Sequence, residues 1–236
     1  MVVKAVPPAQ IIHGLTHPIS REQLIDAAKT GALKQMMDYV TLQLGEVVVN
    51  MPGTIHALGA GLVIYEIQQS SDITYRLYDW DRPASAGRAL HLEQSADVSD
   101  YEPYALHITR PVTIGSLGAQ RTLLCACRYF AAERLDLQQP TSVDTRGHSC
   151  HLLTVLSGSG HVAGDGQEPV ALSPGQSVVV PAALGSYTLT PDIGLAVIKS
   201  YVPDLQRDIV EPLRARGIGN ADIAQLGGEL RKSDLA

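Results

Sequence analysis

The sequence predicts a mainly β fold made of two strand-rich modules, with short helices and a helical C-terminal tail. Its apolar residues are mostly Val, Leu, Ile and Ala, in short runs punctuated by 21 glycines and 14 prolines, as is typical of many short strands. A pattern of turn, strand and corner occurs twice, at residues 45–53 and 175–181. Short strands spaced regularly by turn signals indicate a sandwich or a barrel.

Composition excludes several classes of protein. The 236 residues are 45% hydrophobic and 18% charged, which is enough to bury the core of one large or two small domains. The net charge is -6 and no long basic stretch occurs, so nucleic acid is not an expected partner. The start, MVVKAVPPAQ, is broken by two prolines before any apolar signal region develops, and no later run reaches membrane-spanning length. The 3 cysteines argue against a disulfide framework, and we expect a cytoplasmic protein with no membrane partner.

The first module, residues 1–119, is predicted to contain a helical insert at about residues 20–38. Ser20 and Gln23 have the spacing of a capping box, and Gly31 is a helix stop, so one helix or two short helices are expected. Strands are predicted at residues 40–50, 62–69 and 72–80, the last two joined by a polar corner.

The second module, residues 120–203, shows a series of short strand patterns. They lie at 121–130, 132–138, 151–156, 159–163, 169–172, 176–181, 186–190 and 194–200. Residues 204–236 change character and predict a helical tail, with Leu205, Ile209 and Leu213 along one face.

Three residues of the first module carry chemistry. His56, between glycines, could present a neutral imidazole to a divalent metal, while Glu66 and Arg76 could serve proton transfer and charge stabilisation. If 72–80 is one strand, Arg76 can point into the same cavity as His56. From the residues alone two other interpretations stay open: His56 is an ordinary core or loop histidine, and Glu66 pairs with Arg76 across the sheet.

The run GTIHALGAG followed by EIQQSSDITYRLYDW closely resembles the metal-site half of the type I mannose-6-phosphate isomerases, enzymes of the cupin fold. The resemblance implies two cupin-like modules of β-barrel or jelly-roll type. It places His56 on the family's last zinc ligand, Arg76 on its active-site arginine and Glu66 on an acid that lines the same pocket. Pro52 stands one position later than the family's usual proline, with Met51 in that place.

The other metal ligands of the family, a glutamine and a histidine in a Q-x-H motif and a glutamate, find no match in this chain. His13 and His17 lie in AQIIHGLTHPISREQL, which resembles the family segment after the glutamate strand. We therefore expect an incomplete first barrel, completed by a missing N-terminal segment or a complementary chain. One histidine holds zinc poorly, because stable catalytic sites use three protein ligands.

The second module is expected to be free of metal. Its corner is followed by AALGSY, without a histidine at the ligand position. His148 and His151 would point to opposite faces of a strand, and Cys125 and Cys127 are interpreted as small core residues.

The resemblance implies an isomerase that interconverts mannose 6-phosphate and fructose 6-phosphate. Zinc would hold the sugar oxygens while a base moves a proton between C1 and C2 through a cis-enediol. Glu66 is the candidate for proton transfer, Arg76 would stabilise the negative charge, and Arg82 or Arg88 are possible phosphate contacts. The alternative is a non-catalytic cupin module that binds a sugar or a partner chain. A metal-dependent oxygenase would need a His-x-His and glutamate cluster, which the sequence lacks.

Overall fold

The computed structural model describes residues 1–71, 73–79, 88–103, 108–116, 118–228 and 233–235. The chain divides into two compact units, Met1–Ile108 and Thr109–Ala236, called unit 1 and unit 2 below. The boundary falls before the predicted one at residue 119, because the strand Val112–Ser116 pairs with the strand Ala119–Ala126 and so belongs to unit 2. None of the described helices is long and apolar enough to cross a membrane.

Unit 1 contains two small sheets and two α-helices among its described residues. One sheet has the strand order β3-β2-β4, and the other consists of β1 and β5. The elements are β1 Val2–Ala5, β2 Gln10–Leu15, α1 Arg21–Thr30, a 3₁₀ helix Ala32–Gln35, β3 Met37–Thr41, β4 His56–Leu58, β5 Leu62–Ile64 and α2 Leu92–Val98.

Helix α1 forms as the sequence predicts. The Ser20 hydroxyl accepts the Gln23 N–H at 3.2 Å, and the Gln23 side chain accepts the Ser20 N–H at 2.7 Å, which completes a capping box. Gly31 ends the helix with φ +79°, and the 3₁₀ helix follows. Leu24 and Ile25 are buried, and of the two expected arrangements, one helix or two short helices, the structure shows the second, as α1 followed by the 3₁₀ helix.

The strands predicted at 62–69 and 72–80 are largely wrong. β5 ends at Ile64 because β1, its partner among the described residues, is a four-residue strand with a register shift. Residues 73–79 form no strand. Arg76 uses its backbone elsewhere: its N–H donates to Nδ1 of His91 at 3.1 Å, and its carbonyl accepts the His91 N–H at 2.8 Å. Strand propensity without a neighbouring strand to pair with did not suffice.

Unit 2 is built around an eight-stranded sheet, followed by helical segments. Its described elements are β6 Val112–Ser116, β7 Ala119–Ala126, β8 Ala131–Leu137, β9 Thr141–Asp144, β10 His151–Gly164, β11 Val170–Leu172, β12 Ser177–Val180, a 3₁₀ helix Ala182–Leu184, β13 Ser186–Tyr201, a π-helical turn Leu205–Val210, α3 Glu211–Arg214 and α4 Asn220–Gln225.

The long strands β10 and β13 pair along their whole length and connect two layers. The first half of β10 pairs with β12 and its second half with β11, while β13 pairs first with β9 and then with β8. Alternate side chains of these strands, among them Leu153, Val155, Leu189 and Val197, form one buried cluster. The described residues therefore form a jelly-roll-like sandwich whose sheets are not closed, and the mainly β prediction is confirmed.

The C-terminal segments pack onto unit 2. Ile209, Leu213 and Leu226 are almost fully buried, in a cluster that also contains Leu123 and Tyr201 of the sheet. The predicted helical tail is thus an integral part of this unit's core.

Candidate functional site

His56 lies on β4, directly opposite His13 of the neighbouring strand β2. The next pair along this ladder, Ile12 and Ala57, packs on the side of the sheet that carries α1, because both belong to the hydrophobic cluster of that helix. Successive residues of a strand point to opposite faces. His56 and His13 therefore lie on the other face of the sheet.

That other face is the inner side of unit 1. Ile11 of β2 points to the same face as His13 and packs in a cluster with Val2 of β1, against which Leu62 of β5 also packs. The layer formed by β1 and β5 thus covers part of the face. At β4 the face is open, since His56 is exposed and Leu58 is 49% exposed, whereas His13 is completely buried.

The imidazole of His56 is oriented by its own turn. Its Nδ1 lies 2.9 Å from the carbonyl oxygen of Thr54. Because a carbonyl oxygen can only accept, Nδ1 carries the proton, and the lone pair of Nε2 is left available. A histidine ligand fixed through its other nitrogen by a backbone carbonyl is the common arrangement at metal sites in proteins.

Two glycines shape the loops on either side of β4. Gly53 has φ +91°, and a Cβ there would lie 3.0 Å from the carbonyl oxygen of Val98. Gly61 has φ +85°, and a Cβ there would lie 2.0 Å from the carbonyl oxygen of Val6. Only glycine combines such a conformation with so close a backbone approach. The glycines of GTIHALGAG are therefore required to hold the histidine strand in place.

Arg76 is half-buried and lies in the irregular segment 73–79. The two backbone hydrogen bonds with His91, the residue that begins α2, fix its main chain. The next residue, Leu77, is buried in the same cluster that Ile55 and Ala57 contact beside His56. The main chains next to Arg76 and His56 are thus anchored to one core, although Arg76 is not part of the predicted strand.

Glu66 is exposed and lies beyond the end of β5. Within the described part of the chain, no ion pair joins Glu66 to Arg76, so the alternative of a cross-strand pair is not realised. No hydrogen bond or ion pair between described residues links either side chain to His56. Their roles in a common site stay predictions.

The described residues do not assemble a metal site. Among them, no group of three or more His, Cys, Asp and Glu side chains is close enough to hold an ion. Since a catalytic zinc site needs three protein ligands, His56 alone does not fit the complete zinc site of the family.

Of the two phosphate contacts suggested by the sequence, the structure describes Arg88 but not Arg82. Arg82 and Trp80 lie outside the described residues, as does Asp72. Arg88 is 53% exposed and lies 3.9 Å from the carboxylate of Asp79.

Sequence reasoning missed a buried polar cluster in unit 2. Glu133 of β8 is completely buried, and its carboxylate contacts Arg121 at 2.6 Å, Lys199 at 3.1 Å and the hydroxyl of Tyr201. The two cations hold the pKa of Glu133 down at about 2, against the effect of burial. All three charged residues stand at core-facing positions of their strands. Charged residues at such positions were the sequence signal that could have indicated this cluster.

His151, which the sequence does not pair with His148 as a ligand, lies next to this cluster. Its Nδ1 is 2.8 Å from the hydroxyl of Tyr187, and its ring contacts that of Tyr201. Burial, together with the positive charge of Lys199, lowers the pKa of His151 to about 4, so the imidazole is neutral at pH 7.

Known proteins resemble the chain in sequence. The family model described as "Mannose-6-phosphate isomerase, cupin domain" matches residues 120–200. The mannose-6-phosphate isomerase of Streptococcus mutans is 32% identical over 203 residues, which are 85% of this chain and 62% of that protein. Mannose-6-phosphate isomerase ManA of Bacillus subtilis is 29% identical over 191 residues, 80% of this chain and 59% of that protein.

A solved structure agrees with these matches. The crystal structure of the mannose 6-phosphate isomerase from Bacillus subtilis superposes with a TM-score of 0.73 at 25% identity, covering 84% of this chain and 62% of that one. The chain spans about three fifths of the length of the relatives it matches. Family match, relatives and mainly β architecture agree: the chain is similar to the mannose-6-phosphate isomerases, and its residues 120–200 match the cupin domain of that family.

Proposed function

We propose that the chain is an isomerase that interconverts mannose 6-phosphate and fructose 6-phosphate at the open inner face of unit 1. The names of its relatives support this reaction, and their similarity extends over most of the chain. A sugar-phosphate substrate and a cytoplasmic location belong to the same proposal.

The observation that carries the proposal is the orientation of His56. Its Nδ1 is occupied by the Thr54 carbonyl, so that Nε2 is available on an exposed face that the rest of the sheet does not cover. A histidine of the core would have both nitrogens satisfied inside the protein, since buried polar groups are costly when unpaired. An exposed strand histidine held in one tautomer instead suits a ligand of substrate or metal.

Glu66 and Arg76 are assigned to the proton transfer. The exposed carboxylate of Glu66 moves the proton between C2 and C1 of the sugar while the carbonyl passes from C1 to C2. Arg76, fixed by its backbone bonds to His91, stabilises the negative charge of the enediolate oxygen. Half-burial strengthens this interaction, because the charges meet in a medium of lower dielectric constant than water.

The proposal assigns to zinc a single ligand among the described residues. His56 supplies one ligand through Nε2, and at least two further protein ligands are needed in addition to the described residues. We therefore expect this chain to bind zinc weakly and its activity to require an excess of the metal.

The proposal is tested by assaying the purified chain with mannose 6-phosphate while fructose 6-phosphate formation is followed enzymatically. Turnover should rise with Zn²⁺ concentration without a tight equimolar endpoint. His56→Ala should abolish the response to zinc, and Arg76→Gln should lower kcat by about 100-fold or more, as expected for loss of a transition-state charge contact.

His161→Ala is the matched control, because it removes another exposed histidine, 48% exposed in unit 2. It should retain full activity. Absence of turnover at every zinc concentration would refute the isomerase proposal and leave the non-catalytic sugar-binding module. Tight binding of one zinc per chain would contradict the incomplete ligand set.

A further inference from the structure

Unit 2 contains a cavity of about 380 Å³ that the proposed reaction does not use. Its apolar wall includes Leu135 and Leu137 of β8, which belong to the core of the sandwich. On another side it is lined by the π-helical turn of the C-terminal tail, through Arg207 and Asp208. The volume is within the range of natural small-molecule sites.

The inner wall of the cavity carries buried charge. Arg121 and Lys199 line it, and both contact the carboxylate of Glu133 behind them. The side chain of Lys199 is only 10% exposed, and its ammonium lies 4.5 Å from the ring centre of Tyr201. Burying a charged network costs desolvation energy that an apolar core would avoid, so such a network next to a cavity is a candidate functional site.

At the rim of the cavity, as at its inner wall, two cations share one carboxylate. Arg207 lies 2.9 Å from the carboxylate of Asp208, and Arg146 lies 3.4 Å from the same carboxylate. Each of these two acids, Glu133 and Asp208, is thus shared by two cations. The remaining acid of the lining, Asp144, accepts the backbone N–H of Arg146 at 2.7 Å.

Positive charge is therefore in excess around the cavity. The described residues place four cations there, namely Arg121, Arg146, Lys199 and Arg207, against the three carboxylates just named. The chain as a whole has a net charge of -6, so this local excess runs against the average of the protein. Arginine forks and ammonium groups are the donors that bind carboxylates and phosphates.

We propose that this cavity binds a small oxyanion, the phosphate of a phosphate ester or a carboxylate, between the rim arginines and the Arg121–Lys199 wall. The ligand supplies the missing negative charge. It also replaces water as the hydrogen-bond acceptor for those arginine and lysine N–H groups that Glu133 and Asp208 satisfy only in part. His151, which also lines the cavity, is neutral at pH 7 and can hydrogen-bond the ligand without adding charge. The lining of this site includes none of the residues assigned to isomerisation.

The full chain is titrated with inorganic phosphate, acetate and mannose by isothermal titration calorimetry. Saturable binding of phosphate or acetate with no binding of mannose supports the site, and the preferred anion identifies the ligand class. Arg207→Gln should weaken anion binding about tenfold, as expected for a lost charge-assisted hydrogen bond. Arg76→Gln should leave it unchanged.

Arg134→Gln is the matched control. Arg134 is 40% exposed and pairs with Asp136, as Arg207 is 38% exposed and pairs with Asp208, but Arg134 does not line the cavity. Its loss should change anion affinity less than twofold. The ring signals of His151, assigned by comparison with His151→Gln, should shift on phosphate addition in the NMR spectrum. Equal weakening by both arginine variants, an unmoved His151 signal or equal binding of mannose would overturn the proposal.

Discussion

Acidification should destabilise unit 2 through its buried titratable groups, among which Glu133 contributes the carboxyl group and His151 the imidazole whose pKa burial lowers to about 4. The carboxyl group of Glu133 is completely buried, and its pKa is about 2 in the folded protein instead of the ordinary 4.5. Arg121 and Lys199 cause the lowering, because both positive charges favour the ionised form. A carboxyl group with a lowered pKa stabilises the fold above its unfolded pKa, and that contribution is lost as the pH falls towards the folded value.

The size of the effect follows from the two pKa values. A lowering from 4.5 to about 2, at about 1.4 kcal/mol per pH unit, is worth about 3 kcal/mol of unfolding free energy at pH 7. Roughly 2 kcal/mol of this should be lost between pH 6 and pH 3, and the rest below pH 3. Full burial means that solvent screening does not reduce the figure.

Urea unfolding followed by far-UV circular dichroism at pH 6 and pH 3 measures the effect. The reference is the double variant Glu133→Gln/Lys199→Met, which removes the titrating group and one buried cation together. At pH 6 it should be more stable than Glu133→Gln alone, because the buried ammonium of Lys199 is removed together with its carboxylate partner. Between pH 6 and pH 3 it should lose about 2 kcal/mol less than the wild type.

Two single variants complete the test. Glu133→Gln alone should cost about 3 to 5 kcal/mol at pH 6, because the buried Lys199 loses its carboxylate. Asp136→Asn removes an acid that is 34% exposed and should cost less than about 1 kcal/mol. If the wild type and the double variant lose the same stability on acidification, the assignment of the acid-sensitive step to Glu133 is wrong.

Three further predictions concern local structure and are measured as changes in unfolding free energy. Ser20→Ala removes the cap of α1 and should cost about 1 kcal/mol; no change would contradict the capping box. Gly61→Ala should cost clearly more than Gly166→Ala. Both glycines have positive φ, but only a Cβ at Gly61 would meet a backbone oxygen. Equal costs would show that the backbone strain of positive φ, and not the close approach, sets the cost. Leu153→Ala, fully buried, should cost about 3 to 5 kcal/mol, while Leu152→Ala, 38% exposed on the opposite face, should cost far less.

The predicted elements succeeded where their cause is local. The capping box of α1 and its glycine stop lie within a dozen residues, and the structure shows both. The strands at 62–69 and 72–80 failed, because a strand needs a partner and, among the described residues, β5 pairs only with the short β1. Arg76 instead bonds to His91, which no periodicity could have indicated.

The candidate site was predictable in part. The glycines around His56 indicate a constrained turn, and the structure gives them the close backbone approaches that this requires. The buried cluster of unit 2 could not be assembled from the sequence, because its members are far apart along the chain: Tyr201 and Glu133 are 68 positions apart.

The sequence by itself determined the mainly β class, the capped helix, the glycine-bounded histidine and the resemblance to an isomerase family, since these depend on short-range patterns of residue type. Only the tertiary structure decided that His56 lies on an open face, that Arg76 lies outside a strand and that unit 2 has a positively charged cavity. These features depend on which distant strands pair and on how burial changes the energy of a charge, and neither is a property of a local segment.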